Sequence, residues 1–94
     1  MSLEQDVERG RLAQAVLDNR VYAESYALIE QGLIRLWRDS REPPEREQAH
    51  QLLMMLDKVR NVMETTMRTG QVAQDAIIQK QTLAQRVGAR LRAA

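Results

Sequence analysis

Two adjacent prolines, Pro43 and Pro44, constrain this chain more than any other pair of residues. A proline inside a helix removes a backbone donor and clashes with the preceding turn, and it pushes the residue before it out of helical geometry. No helix therefore runs through them from the N-terminal side, whereas the first turn of a new helix accepts them readily. Beyond them Ala49, Leu52, Leu56, Val59, Met63 and Thr66 recur at steps of three and four, a seam for lengthwise packing on another helix. Thr69-Gly70 reads as the end, because glycine tolerates the left-handed conformation that closes helices. The spacing predicts a helix over about 44–69, a rod of roughly 39 Å that is marginal until one face is buried.

Upstream, Arg20 to Ser40 reads as a second helix with Tyr22, Tyr26, Ile29, Leu33 and Leu36 on one seam and Val21, Leu28 and Trp37 broadening it. The connection to Pro44 is short and polar, which predicts an antiparallel helical hairpin from about 20–40 and 44–69. Setting Ser40 level with Pro44 places Trp37 near Glu47 and Ala49, Ile29 opposite Met55, and Tyr22 opposite Val62. Large Trp37 over small Ala49 is the expected anchor of the hairpin. Gly32 weakens its helix by about 1 kcal/mol relative to alanine, so close backbone approach by a neighbour is the expected compensation.

Ahead of the hairpin, Ser2-Leu3-Glu4-Gln5 fits a capping box. Leu3, Val7, Leu12, Ala13, Val16 and Leu17 follow as an apolar face interrupted by Gly10, and Asp18-Asn19 offers a break. After the hairpin, Ala73, Ile77, Lys80, Ala84, Val87 and Leu91 keep heptad spacing, either as a fourth helix or as a continuation of the third. In residues 71–94 Asp75 is the one acid against Lys80, Arg86, Arg90 and Arg92. The expected organisation is all-α: a short N-terminal helix over 1–18, the hairpin core over 19–70, and a basic amphipathic helical arm over 71–94. That arm is expected to serve association and to be dispensable for folding of the hairpin.

With 94 residues, no Phe, and Trp37, Tyr22 and Tyr26 as its aromatics, the chain can build only a thin core, so partner chains are expected. Absence of Cys excludes disulfides and thiolate metal sites. No apolar run is long enough for a membrane span, and no secretory leader is read at the start. Ser2, Ser25 and Ser40 have no histidine at an activating spacing, and the four glycines form no phosphate loop, so no catalytic residue and no cofactor is assigned. Glu47-x-x-His50 has the spacing of a carboxylate-bridged metal site, but His50 is the sole histidine and the hairpin register sets Glu30 roughly 10 Å away in level, so no metal ligand is assigned either. Met54, Met55, Met63 and Met67 read as core or interface filler.

The interface residues are therefore expected to be Tyr22, Tyr26, Ile29, Leu33, Trp37, Leu52, Leu56, Val59 and Met63 on the hairpin, with Ile77, Val87 and Leu91 on the arm. Lys80, Arg86, Arg90 and Arg92 are the candidates for contact with nucleic acid.

Leu17-Asp18-Asn19-Arg20-Val21-Tyr22 entering a helix, Trp37 near its end, a polar turn, Glu45-Arg46-Glu47, the Leu52 to Val59 run and Thr69-Gly70-Gln71-Val72-Ala73 follow one another in a telling order. Over residues 12–75 this resembles a group of short helical proteins encoded in tailed-bacteriophage genomes near head and packaging genes. Relatives would carry proline after the asparagine cap, where this chain has Arg20. The resemblance implies a viral origin and a small assembly or accessory role, with no catalytic residues to transfer. The expectation is a non-enzymatic assembly component that forms homo-oligomers and docks on a larger phage structural protein, in the host cytoplasm during assembly and in the virion. The alternatives are a DNA-packaging accessory factor that uses the basic arm and a small inhibitor of a host protein.

Overall fold

The computed structural model describes residues 2–93 as three helices: α1 (Leu3–Leu17), α2 (Arg20–Asp39) and α3 (Pro43–Ala93). No strand occurs among the described residues. Each start is chemically specified. Ser2 Oγ accepts from the Gln5 amide at 3.1 Å while Gln5 Oε1 accepts from the Ser2 amide at 3.0 Å, the reciprocal capping box. Asn19 Oδ1 accepts from the Tyr22 amide at 2.9 Å and opens α2 only two residues after α1 closes. Ser40, in extended geometry, ends α2. Its hydroxyl accepts from the Glu42 amide at 3.2 Å and donates to Glu45 Oε2 at 2.9 Å, tying the turn to the first turn of α3.

Gly70 does not close a helix. α3 runs through it for 51 residues, and no glycine among the described residues has positive φ. At 1.5 Å per residue such a helix is about 76 Å long, which accounts for the molecule's 79 Å long dimension. Of the two readings of residues 71–94, continuation is the one observed. The reason lies in α1, which crosses α3 with Gly10 against Gly70. A methyl group built on Gly10 would lie 2.8 Å from the Gly70 Cα, and one on Gly70 would lie 2.9 Å from the Asp6 carbonyl oxygen. Gly70 is thus a contact surface within a helix, and both glycines are buried.

α2 lies along the first part of α3. Tyr26 is buried there, its hydroxyl donating to Asp57 Oδ1 at 3.1 Å, with the Arg60 guanidinium 5.1 Å from the ring centre. Nearer the turn, Arg46 Nε donates to the Trp37 carbonyl at 3.0 Å and its guanidinium stands 5.7 Å from the indole. The Trp37–Arg46 contact thus lies near the turn and the Tyr26–Asp57 contact farther from it.

The face that α3 turns to α2 differs from the expected seam. Ala49 is fully buried and Leu53 and Leu56 half-buried, whereas Leu52 and Val59 are exposed. A buried tyrosine hydroxyl is usually hydrogen-bonded, and this rotation of α3 brings Asp57 and Arg60 to Tyr26. Ile29, Met55 and Val62 consequently stay exposed and do not seal a seam. Trp37 is 43% exposed, so it covers the end of the hydrophobic contact and is not its buried anchor.

The chain buries little of itself. Apart from Gly10 and Gly70, only Tyr26, Ala49 and Ala73 are buried among the described residues. The radius of gyration is 21.6 Å, against about 12 Å for a compact domain of this length.

Candidate interaction surface

Two uncharged, exposed arcs flank the contact between α2 and α3. On α2, Val21, Ser25, Leu28, Ile29, Gly32 and Leu36 stand beside the line through Tyr22, Tyr26 and Leu33, and all six are exposed. On α3, Gln48, Leu52, Met55, Val59 and Val62 stand beside the line through Ala49, Leu56 and Arg60, and all five are exposed. At about 100° per residue, each arc lags its own seam in the same rotational sense. With Tyr26 against Asp57 and Trp37 against Arg46, arcs on the same rotational side come to one face. The result is a single apolar platform, with an open trough of about 270 Å³ lined by Met55, Lys58, Val59, Val62 and Met63. Glu24 of α2, paired with Arg20 at 2.8 Å, borders the arc beside Leu28.

The expected interface residues divide between this platform and the internal contacts. Tyr26 is buried, and Tyr22, Leu33, Leu56, Met63 and Ile77 are half-buried within the chain. Ile29, Leu52 and Val59 belong to the open platform, and Val87 and Leu91 lie exposed on the distal part of α3. Tyr22 brings an anomaly of its own: its hydroxyl is buried with no hydrogen-bond partner, 6.1 Å ring to ring from Tyr26. Burial raises the Tyr26 hydroxyl pKa above its ordinary value, and the hydrogen bond to Asp57 with that carboxylate's charge raises it further.

Beyond Ile77 the rest of α3 is exposed except for half-buried Gly88. Lys80, Arg86, Arg90 and Arg92 all lie there without an acidic residue among them. Arg86 and Arg90 share an edge, but at about 100° per residue Lys80 and Arg92 point elsewhere, so the four ring the helix and do not form one stripe. Ala73 and half-buried Ala76, in contrast, lie in the region that α1 crosses.

Comparison with protein-family models, with curated proteins and with solved structures finds no match. The chemistry of the surface therefore carries the functional reading.

Of the remaining hollows, the larger is an open cleft of about 390 Å³ where α1 meets α3, with Asp6 and Arg68 as its charged residues. Another, of about 360 Å³, brings His50 and Glu47 beside Trp37, Pro43 and Arg46. Among the described residues no group of three or more His, Asp or Glu side chains is placed to hold a metal ion. Sequence reasoning missed the Gly10–Gly70 crossing. Gly10 reads as a flaw in an apolar face and Gly70 as a helix end, and nothing local joins two glycines 60 positions apart.

Proposed function

We propose that this chain is a non-enzymatic structural or assembly component of a tailed bacteriophage, acting through helix-mediated self-association and docking on a larger virion protein. Its working unit is an antiparallel hairpin of α2 and the first half of α3. The observation that carries this reading is the surface area: the chain exposes 7707 Å², against about 5,500 Å² for a folded monomer of its mass. That area is polar and apolar together, but it includes large apolar side chains such as Leu28, Leu52, Met55, Val59 and Val62 left open, and contiguous exposed apolar surface marks a protein–protein contact. The phage assignment rests on the order of residues from Leu17 to Ala73 described above. Host cytoplasm during assembly and the virion are its places of action under this reading. No helix among the described residues is long and apolar enough to cross a membrane.

Light scattering on the purified chain tests self-association, with a mass above the 10.8 kDa of one chain expected at micromolar concentration. Co-sedimentation with phage particles tests the docking step. A monomer that exchanges no mass on dilution and stays out of particles would overturn the proposal.

A DNA-packaging accessory role is the second reading, favoured by four exposed bases on an acid-free end of α3. If the arm binds phosphates, affinity for duplex DNA falls steeply between low and moderate salt, with a logarithmic slope of about −0.9 per phosphate neutralised. Binding that ignores salt would remove this reading.

A further inference from the structure

We propose that the platform formed by α2 and α3 is a two-fold interface with a second copy of this chain, in which Gly32 sits at the crossing of the two α2 helices. The proposal deepens the self-association reading above and rests on it. Joined face to face, two pairs of helices make a four-helix bundle whose core is the residues each chain leaves open.

Three observations point to this occupant. The first is area. The excess over a compact monomer is about 2,200 Å² per chain, divided between this platform and the open end of α3; with half of it on the platform, two copies would bury a total at the lower end of the range of about 2,000–5,000 Å² found for obligate dimers. The second is charge. The eight positions Val21, Leu28, Ile29 and Leu36 of α2 and Leu52, Met55, Val59 and Val62 of α3 are all apolar, and the neighbouring charges, Lys58 in the α3 trough and Arg35 beside Leu28, lie at the edges. Two identical copies can therefore bury the apolar centre and leave these charges at the rim, and depletion of charge at the centre is the mark of an interface core.

The third is Gly32 itself. A methyl group built there meets nothing within 4 Å, so the chain gains no internal packing from a residue that weakens its helix. The same chain shows what such a glycine does when it is used: at Gly10 and Gly70 two helices approach until a methyl would stand 2.8 Å from the opposing Cα. In an isologous dimer a residue near the axis meets its own copy. Gly32, flanked by Leu28, Ile29 and Leu36 on the apolar arc, is placed for that approach.

Gly32→Ala separates the alternatives by sign. If the Gly32 face stays open, the methyl projects into solvent and alanine is the better helix former, so the variant would melt higher with its mass unchanged. In the proposed dimer it separates the two α2 helices and weakens association by about tenfold or more, while circular dichroism shows full helix content. Gly32→Leu and Leu28→Glu should abolish the dimer, and Leu83→Glu on distal α3 should leave it intact. Mass from light scattering over a dilution series of the full chain reads all four. An assembly that persists in Gly32→Leu and Leu28→Glu overturns this interface and leaves self-association standing. A wild-type chain that is monomeric throughout overturns both. A wild-type dimer lost in Leu83→Glu but kept in Gly32→Leu also overturns it, because the distal helix would then be the contact.

Discussion

Gly10 and Gly70 show how much one missing methyl group can position. Each is the point at which α1 and α3 touch backbone to backbone, and backbone atoms cannot swing aside as a long side chain does. Gly10→Ala or Gly70→Ala should destabilise the chain by about 1–3 kcal/mol through overpacking, despite a helix-propensity gain of about 1 kcal/mol. Urea unfolding measures the balance; an increase in stability would mean that the helices separate at no cost. The two tyrosines make a matched test. Tyr22 buries a hydroxyl with no partner, whereas the Tyr26 hydroxyl holds Asp57. Tyr22→Phe should be neutral or stabilising by up to about 1 kcal/mol, and Tyr26→Phe should cost about 1–2 kcal/mol. Tyr26 also sets an alkaline limit. Its folded pKa lies above the unfolded value, so its contribution is fully present below the usual tyrosine pKa of about 10 and is lost as pH rises through that value toward the folded one. The melting temperature should fall over that window, less steeply in Tyr26→Phe; equal slopes would dismiss the linkage.

Among the helices, α3 is the spine on which both others lie, α2 along its first part and α1 across Gly70. Trp37 closes the turn end of the α2 contact while remaining 43% exposed. Trp37→Ala should therefore cost about 1–2 kcal/mol, short of the about 3–5 kcal/mol of a fully buried aromatic. Chemical denaturation followed by circular dichroism gives the number, and a loss in the higher range would place the indole in a dry core. Continuity of α3 also changes what a truncation removes. Ending the chain after Gly70 strips Ala73 and Ala76 from beside α1, whereas ending it after Ile78 spares them. Amide exchange in residues 3–17 should lose its protection in the first variant and keep it in the second. Unchanged protection after the shorter truncation would mean that α1 is held by other contacts.

For the molecule as a unit, a thin core and a long spine leave few internal contacts to hold the chain, and under the proposed self-association folding would be coupled to assembly. If the chain is stabilised by its own copies, its melting temperature rises with protein concentration. A melting temperature independent of concentration would show that the few buried residues suffice. Helix content was legible in the amino-acid order, because Ser2, Asn19 and the Pro43-Pro44 pair act through neighbours no more than five residues away and apolar residues recur at helical steps throughout. The surplus of apolar surface was legible too, since it follows from the number of stripes and the length of the chain. Two things were fixed only in three dimensions. The rotation of α3, which buries Ala49 and turns Leu52 and Val59 outward, goes with the hydrogen bond from Tyr26 to Asp57, a partner 31 residues away. The fate of Gly70 depended on whether another helix would lie upon it. Glycine permits both a helix end and a close crossing, and the choice belongs to Gly10, which no local rule connects to it.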